Sequence, residues 1–419
     1  MKPLLVNSND LRGGAARAAY RLHRALRSIS IESILLVQTK DGDDPTVVGP
    51  GTHFGRLLNP LRPILDVLPI LAYPKRTKGT FYPGWLPDRS RSRVKDIAPD
   101  LVHLHWITGG FVNVRALRKY RLPLVWTLHD MWAFTGGCHY DDGCGRYVSG
   151  CGSCPVLGST SNFDLSSLGF RRKMRAYRDL PLTIVAPSRW LGERARSSPL
   201  FAGFPISVIP NTIDTDCFRP IAKDAARNLL GLPGDRKLVL FGAAHGADEP
   251  RKGFSHLQTA LRALAQRAGA SQYTVVIFGA STPQRPPDLG MPCTYVGSLN
   301  DDVSLAALYS AADVFVAPSI QENLSNTVME ALACGTPCVA FDIGGMPDMI
   351  EHRRNGFLAR PFDAADLAEG LDWVMADEAR RRALGARARE KAVEEYEMSK
   401  VAYRHAELYR SILGASQSS

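Results

Sequence analysis

At 419 residues the chain is long for a single hydrophobic core and suits two domains, and its 45% apolar content is ordinary for a folded α/β protein. No run approaches the roughly 18 uninterrupted apolar residues of a membrane-spanning helix. The charge is lopsided, with 29 Lys and Arg against 15 Asp and Glu in residues 1–211 but 22 against 26 in the remainder; the basic half attracts anions, and without an aromatic stacking pattern or a nucleic-acid module it favours a lipid surface or lipid-diphosphate acceptor over nucleic acid.

Met1 to Val6 meets Asn7-Ser8-Asn9-Asp10 too soon for a secretory signal and reads as the first strand. The expected location is cytoplasmic, at the inner face of the plasma membrane if the basic half meets lipid. Leu4 to Val6 leads through Gly13 and Gly14 into a helix over Ala15 to Arg27. Two glycines there let a phosphate or sugar approach the backbone, or simply make a strand-to-helix turn; the spacing is not that of a nicotinamide fingerprint. Ile34 to Val37 is the second strand. Residues 41–95 read as irregular, and within them Arg56 to Ala72 is apolar, flanked by Lys75, Arg76 and Lys78. Prolines at 60, 63 and 69 argue against one long helix. This segment is expected to contact membrane or acceptor rather than pack as a plain loop.

Leu101 to His103 and Leu124 to Leu128 are strands, the second ending in His129-Asp130. A histidine at the carboxyl end of a parallel strand faces the ligand crevice, where its imidazole can hydrogen-bond a hydroxyl or carry a proton; the alternative is a structural pair with Asp130. His103 and His105 read as packing or acceptor-side residues. Cys138, Cys144, Cys151 and Cys154 follow, with glycine-rich spacers, and Cys151-Gly-Ser-Cys154 has the gap of a metal knuckle. Outside an oxidising compartment a structural zinc-type site is the expectation, with His139 as an alternative ligand and free thiols in a loop as the rival. Phe170 to Arg178 is a basic helix, by default a solvated face, with anionic-lipid contact as the second reading. Thr183 to Ala186 reads as the last strand of the first domain.

The second domain opens with Leu238 to Phe241 and a glycine-rich loop ending in Arg251-Lys252-Gly253, a cationic pair placed to neutralise a diphosphate. Val275 to Phe278 is a strand, and Thr294 to Gly297 follows, with backbone suited to reading a nucleobase. A helix spans Asp301 to Ala312. Then comes APSIQENLSNTVMEALACGTPCVAFDIGG, Ala317 to Gly345. The apolar run Val314 to Val316, a Pro-Ser turn, a helix from Asn326, its stop at Gly335-Thr336-Pro337 and a strand at Cys338 to Phe341 make one βαβ unit. Glu322 lies in the loop before the helix and Glu330 about one turn inside it; carboxylates suit vicinal hydroxyls, and the loop amides suit phosphate. Phe357 to Ala359 is a final edge strand, and helices run from 364 to 412.

Glu322 and Glu330 in this setting resemble the paired-glutamate motif of the retaining glycosyltransferases of family 4. The resemblance implies the GT-B fold, two Rossmann-like domains with parallel sheets facing across a cleft. It implies an acceptor-binding domain over residues 1–210 with a cysteine-rich loop at 136–158, a donor-binding domain over 211–398, and a helix over 399–419 crossing back to the first. Glu322 would contact the donor sugar and Glu330 the donor ribose, while Asn323, Leu324, Ser325, Asn326 and Thr327 hold sugar and diphosphate. Lys252 matches the family's phosphate lysine. The family's second cation often lies about six residues earlier, where this chain has His245 or Gly246, and Arg251 is the substitute. Gly13 and Gly14 match a glycine pair bordering the cleft, and His129 matches the cleft histidine. Catalysis would then rest on Glu322, His129 and Lys252, need no metal cofactor, and retain the anomeric configuration.

Trp126 to Trp132, running into Gly136-Gly137-Cys138-His139-Tyr140, resembles a subgroup of exopolysaccharide transferases similar to colanic-acid-type enzymes. That resemblance implies a hexosyltransferase using a nucleotide-sugar donor and a glycan acceptor on a membrane lipid diphosphate. The rivals are a GT-B epimerase and a non-catalytic nucleotide-sugar-binding protein; the intact Glu322, Glu330 and Lys252 weigh against the latter.

Overall fold

The computed structural model describes residues 1–51, 59–77, 79–88, 90–242, 250–299 and 301–417. The start of the apolar segment at Arg56 to Leu58, Lys78, His245 and Gly246 lie outside the described residues. The chain divides into two compact units, one of Met1–Thr212 with Val401–Ser419, the other Ile213–Lys400.

In the first unit seven strands form one sheet: β1 (Pro3–Asn9), β2 (Ile34–Thr39), β3 (Val47–Val48), β4 (Leu101–Leu104), β5 (Leu124–Thr127), β6 (Leu182–Ala186) and β7 (Ile206–Val208). All pair in parallel, in the order 3-2-1-4-5-6-7. Parallel strands need helical crossovers on both faces, which buries them on both sides, as seen for Leu4–Val6 of β1 and throughout β4, β5 and β6. β6 is not the last strand of this unit. β7 follows it on the edge, three half-buried residues with too little hydrophobic pattern to be read from sequence.

The second unit has six parallel strands: β8 (Lys237–Gly242), β9 (Tyr273–Phe278), β10 (Cys293–Gly297), β11 (Val314–Ala317), β12 (Cys338–Phe341) and β13 (Gly356–Ala359), in the order 10-9-8-11-12-13. Alternate side chains go to opposite faces. Leu238, Leu240, Phe315 and Ala317 enter one core, while Val239, Phe241, Val314 and Val316 enter the other. The order reverses between β1 and β4 in the first sheet and between β8 and β11 in the second. Ligands of open α/β sheets bind beyond the carboxyl ends of the strands at such reversals.

The helices that matter below are α1 (Gly14–Ser28), α2 (Arg62–Val67), α3 (Leu165–Tyr177), α4 (Phe254–Ala268), α5 (Asp302–Ala311), α6 (Asn326–Ala333) and α7 (Met398–Gln417). From Val401 onward α7 packs in the first unit, where the Tyr409 hydroxyl lies 2.6 Å from His103 Nδ1 and Arg404 donates to the Val208 carbonyl at 2.8 Å. Among the described residues no helix is long and apolar enough to cross a membrane.

Candidate functional site

β8 and β11 are neighbours in the sheet, and the turn that precedes α4 meets the loop that follows β11. After β8 the chain returns through a tight turn, Pro250–Lys252, into α4. After β11 it turns at Pro318-Ser319 and carries Glu322 before Ser325 caps α6, the Ser325 hydroxyl accepting from Val328 N at 3.4 Å. Two glycines let these loops close on each other. Gly253 has φ +68, and a Cβ there would sit 1.8 Å from the Pro318 carbonyl oxygen. Gly344 has φ +54, and a Cβ there would sit 2.0 Å from the Glu322 carbonyl oxygen. Backbone bonds complete the joint: Ile320 N donates to Arg251 O at 2.8 Å and Gly345 N to Glu322 O at 3.1 Å.

The joint brings charges together. Lys252 Nζ stands 2.8 Å from Glu322 Oε2, and Arg251 Nη1 reaches the same oxygen at 3.3 Å and the Gln321 carbonyl at 3.1 Å. Ser319 Oγ adds a 3.4 Å contact to Oε2. Glu322 is 8% exposed. Burial alone would raise its pKa, but Lys252 and Arg251 outweigh that and hold it down at about 2. Two cations face one carboxylate, and the first-turn amides of α6 add their dipole, so the locus is electropositive overall and suits an anionic ligand. Asn323 and Leu324 are buried in the same loop, and Asn326 and Thr327 open α6 half-exposed. Glu330 is buried further along α6, where the Tyr309 hydroxyl of α5 donates to its Oε2 at 2.8 Å.

A carboxylate with a depressed pKa contributes stability above its unfolded value, near 4.5, and loses it as pH falls toward about 2. The stability advantage of wild type over Glu322→Gln is therefore expected to shrink by about 2 kcal/mol between pH 6 and pH 3. Urea unfolding at each pH measures it, and a pH-independent gap would contradict the ion pair.

In the first unit Gly13 and Gly14 follow β1 and start α1, Gly13 at φ +91 with open space where a Cβ would be. His129 follows β5. Its Nε2 lies 3.0 Å from Nδ1 of His105, which follows β4, while Asp130 is taken by His139 Nδ1 at 2.6 Å and Trp106 Nε1 at 3.0 Å. His105 is thus a partner that sequence reading underrated; its position at the end of a neighbouring strand was the available signal. Burial drives the His129 pKa down to about 4, against a smaller upward pull from Asp130. At neutral pH the ring is uncharged, suited to hydrogen-bonding a hydroxyl rather than carrying a proton.

The four cysteines do not form the expected metal site. Among the described residues no three His, Cys, Asp or Glu side chains are placed to hold a metal ion. Cys138 and Cys154 pack in a small apolar cluster with Ile70, Phe81, Val156 and Leu157, and Cys151 packs against the main core. Cys144 is half-exposed, and His139 is committed to Asp130. Burial raises all four thiol pKa values, that of Cys151 to about 12, so the groups are neutral thiols. The basic helix α3 is likewise only partly solvated. Lys173 is buried, with Nζ on the carbonyls of Trp132 and, at 3.1 Å, Thr135, and burial brings its pKa down to about 7.

Residues 12–217 match the family described as Glycosyltransferase Family 4, and residues 222–391 match Glycosyl transferases group 1. Alpha-maltose-1-phosphate synthase of Mycolicibacterium smegmatis is 30% identical over 49% of this chain, and the match spans 57% of that protein. The fold is GT-B, as in sucrose-phosphate synthase from Thermosynechococcus elongatus (TM-score 0.69, 22% identity, 99% of each chain). Anabaena HepE, solved in complex with UDP-glucose, is also similar (TM-score 0.61, 19% identity, 98% of this chain and 100% of that one).

Proposed function

We propose that this chain, which carries the family 4 and group 1 glycosyltransferase domains, moves a hexose from a nucleotide-diphosphate sugar to a glycan acceptor on a membrane lipid, in exopolysaccharide or surface-polysaccharide synthesis. The observation that carries it is Lys252 Nζ within 2.8 Å of Glu322 Oε2 at the reversal of the second sheet. The donor diphosphate takes the electropositive position beside Lys252 and Arg251, at the start of α6. Glu322, held ionised, accepts hydrogen bonds from the hexose hydroxyls, and Glu330 those of the ribose. Negative charge grows on the diphosphate as the anomeric carbon becomes oxocarbenium-like, and fixed cations are worth most at that moment.

The reaction proceeds with retention. The acceptor oxygen bonds to the anomeric carbon on the face the phosphate leaves, the carbon–phosphate-oxygen bond breaks, and the departing phosphate oxygen takes the acceptor's proton. His129 supplies a neutral imidazole to a sugar hydroxyl, and Gly13 and Gly14 give the substrate room at the backbone. The UDP-glucose bound by HepE makes a uridine donor the first to test. In a thermal-unfolding panel of UDP-, GDP- and ADP-sugars one donor is expected to stabilise the protein by about 2.7 kcal/mol at 100 times its dissociation constant. No stabilisation by any of them would remove the donor assignment.

A further inference from the structure

Across residues 61–71 the chain turns its charges inward and its hydrocarbon outward. Arg62, Asp66 and Ile70, four residues apart, form the inner face, with both charged side chains buried. Leu61, Ile64, Leu65, Leu68 and Leu71 form the outer face, exposed by 43–62%. A surface helix ordinarily presents the opposite arrangement.

The inversion is held in place. Arg62 Nε donates to the Gly110 carbonyl at 2.6 Å. The Asp66 carboxylate accepts from Gly84 N at 3.3 Å and Trp85 N at 3.1 Å, and Trp85 Nε1 donates to the Asp66 carbonyl at 3.1 Å. This fixes an indole, 47% exposed, beside the leucines. Beneath lies the small core built on Cys138 and Cys154, against which Val67, Tyr73 and Leu165 pack. Leu165 N donates to the Tyr73 hydroxyl at 3.0 Å, tying the start of α3 to the same platform. The cysteine-rich loop is thereby the footing of an apolar face.

We infer that this face docks on an anionic lipid bilayer, with Ile64, Leu65, Leu68 and Leu71 entering the acyl boundary and Trp85 at the headgroup level. Three features favour a bilayer over a second copy of this chain. Exposed cations neighbour the apolar row: Lys75 and Arg76 follow it in the chain, and Arg171 and Arg175 lie on α3, whose Arg172 acts electrostatically on Asp66. Residues 1–211 carry a formal net charge of +14, from 29 basic and 15 acidic residues, so two copies would repel. A partner that is anionic at its surface and hydrocarbon beneath satisfies both parts of the face. The inference stands on this exposed geometry and does not depend on the transfer reaction.

Full-length protein is floated with phosphatidylcholine vesicles, with and without about 30% phosphatidylglycerol. Wild type is expected to float with the anionic vesicles, and Ile64→Glu/Leu68→Glu to bind about 10-fold or more weakly. Lys75→Glu/Arg76→Glu and about 0.5 M salt each weaken binding several-fold. Thermal midpoints and donor-sugar binding stay unchanged in Ile64→Glu/Leu68→Glu, which separates this inference from the proposed activity. Failure of wild type to float, or equal flotation of wild type and the apolar variant, overturns it. So does a wild-type dimer, seen by sedimentation without vesicles, that the apolar variant dissociates.

Discussion

Lys252→Ala is expected to slow hexose transfer by about 100- to 1,000-fold, the loss typical of removing one preorganised donor from developing negative charge. The reason lies in timing. On the proposed reading, the ground-state diphosphate carries its charge spread over several oxygens, with Arg251 and the amides of α6 to share it. As the bond to the anomeric carbon lengthens, another negative charge gathers at the departing oxygen. The fall should therefore appear mainly in kcat, with donor KM moving less. Lys252→Arg keeps the charge but not the point geometry and should recover part of the rate. The fold should survive, because Lys252 is half-exposed and Arg251 still faces Glu322. Wild-type kcat in Lys252→Ala would end the assignment of the leaving diphosphate to this locus.

Gly253→Ala should damage the same site without removing any charge. The residue sits at φ +68, where a side chain is strained, and the new methyl carbon would lie 1.8 Å from the Pro318 carbonyl oxygen, a backbone atom that cannot rotate away. The loop carrying Glu322 must move off the turn carrying Lys252. The expected result is a loss of about 2–4 kcal/mol in stability, together with loss of donor-induced stabilisation. Calorimetry with and without donor measures both. Unchanged stability and binding would show that the two loops need not touch.

What was legible in the sequence was the part fixed locally. The βαβ unit from Val314 to Phe341, with its helix from Asn326, is set by an apolar run, a Pro-Ser turn and a Gly-Thr-Pro stop close together in the chain. The contact of Lys252 with Glu322 followed only once both were placed at the ends of adjacent strands. Pairings between distant residues escaped. Asp130 meets His139 and Trp106, and His129 meets His105, pairings decided by where β4 and β5 bring their loops. Close cysteine spacing looked like ligation, yet packing drew Cys138 and Cys154 into an apolar cluster. The segment from Leu61 to Leu71 shows a limit of another kind. Periodicity tells which residues share a face, but not which face turns inward, and here the ionisable side chains, Arg62 and Asp66, are the ones buried.

The return of α7 makes the first unit discontinuous in the chain, its closing piece coming after all of Ile213–Lys400. During synthesis the second unit is therefore complete and free to fold while the first still lacks the Tyr409 hydroxyl that meets buried His103. The order of maturation runs against the order of the sequence: the part translated first is the last to be finished. Until α7 emerges, a ribosome-bound chain holds a first unit without that helix.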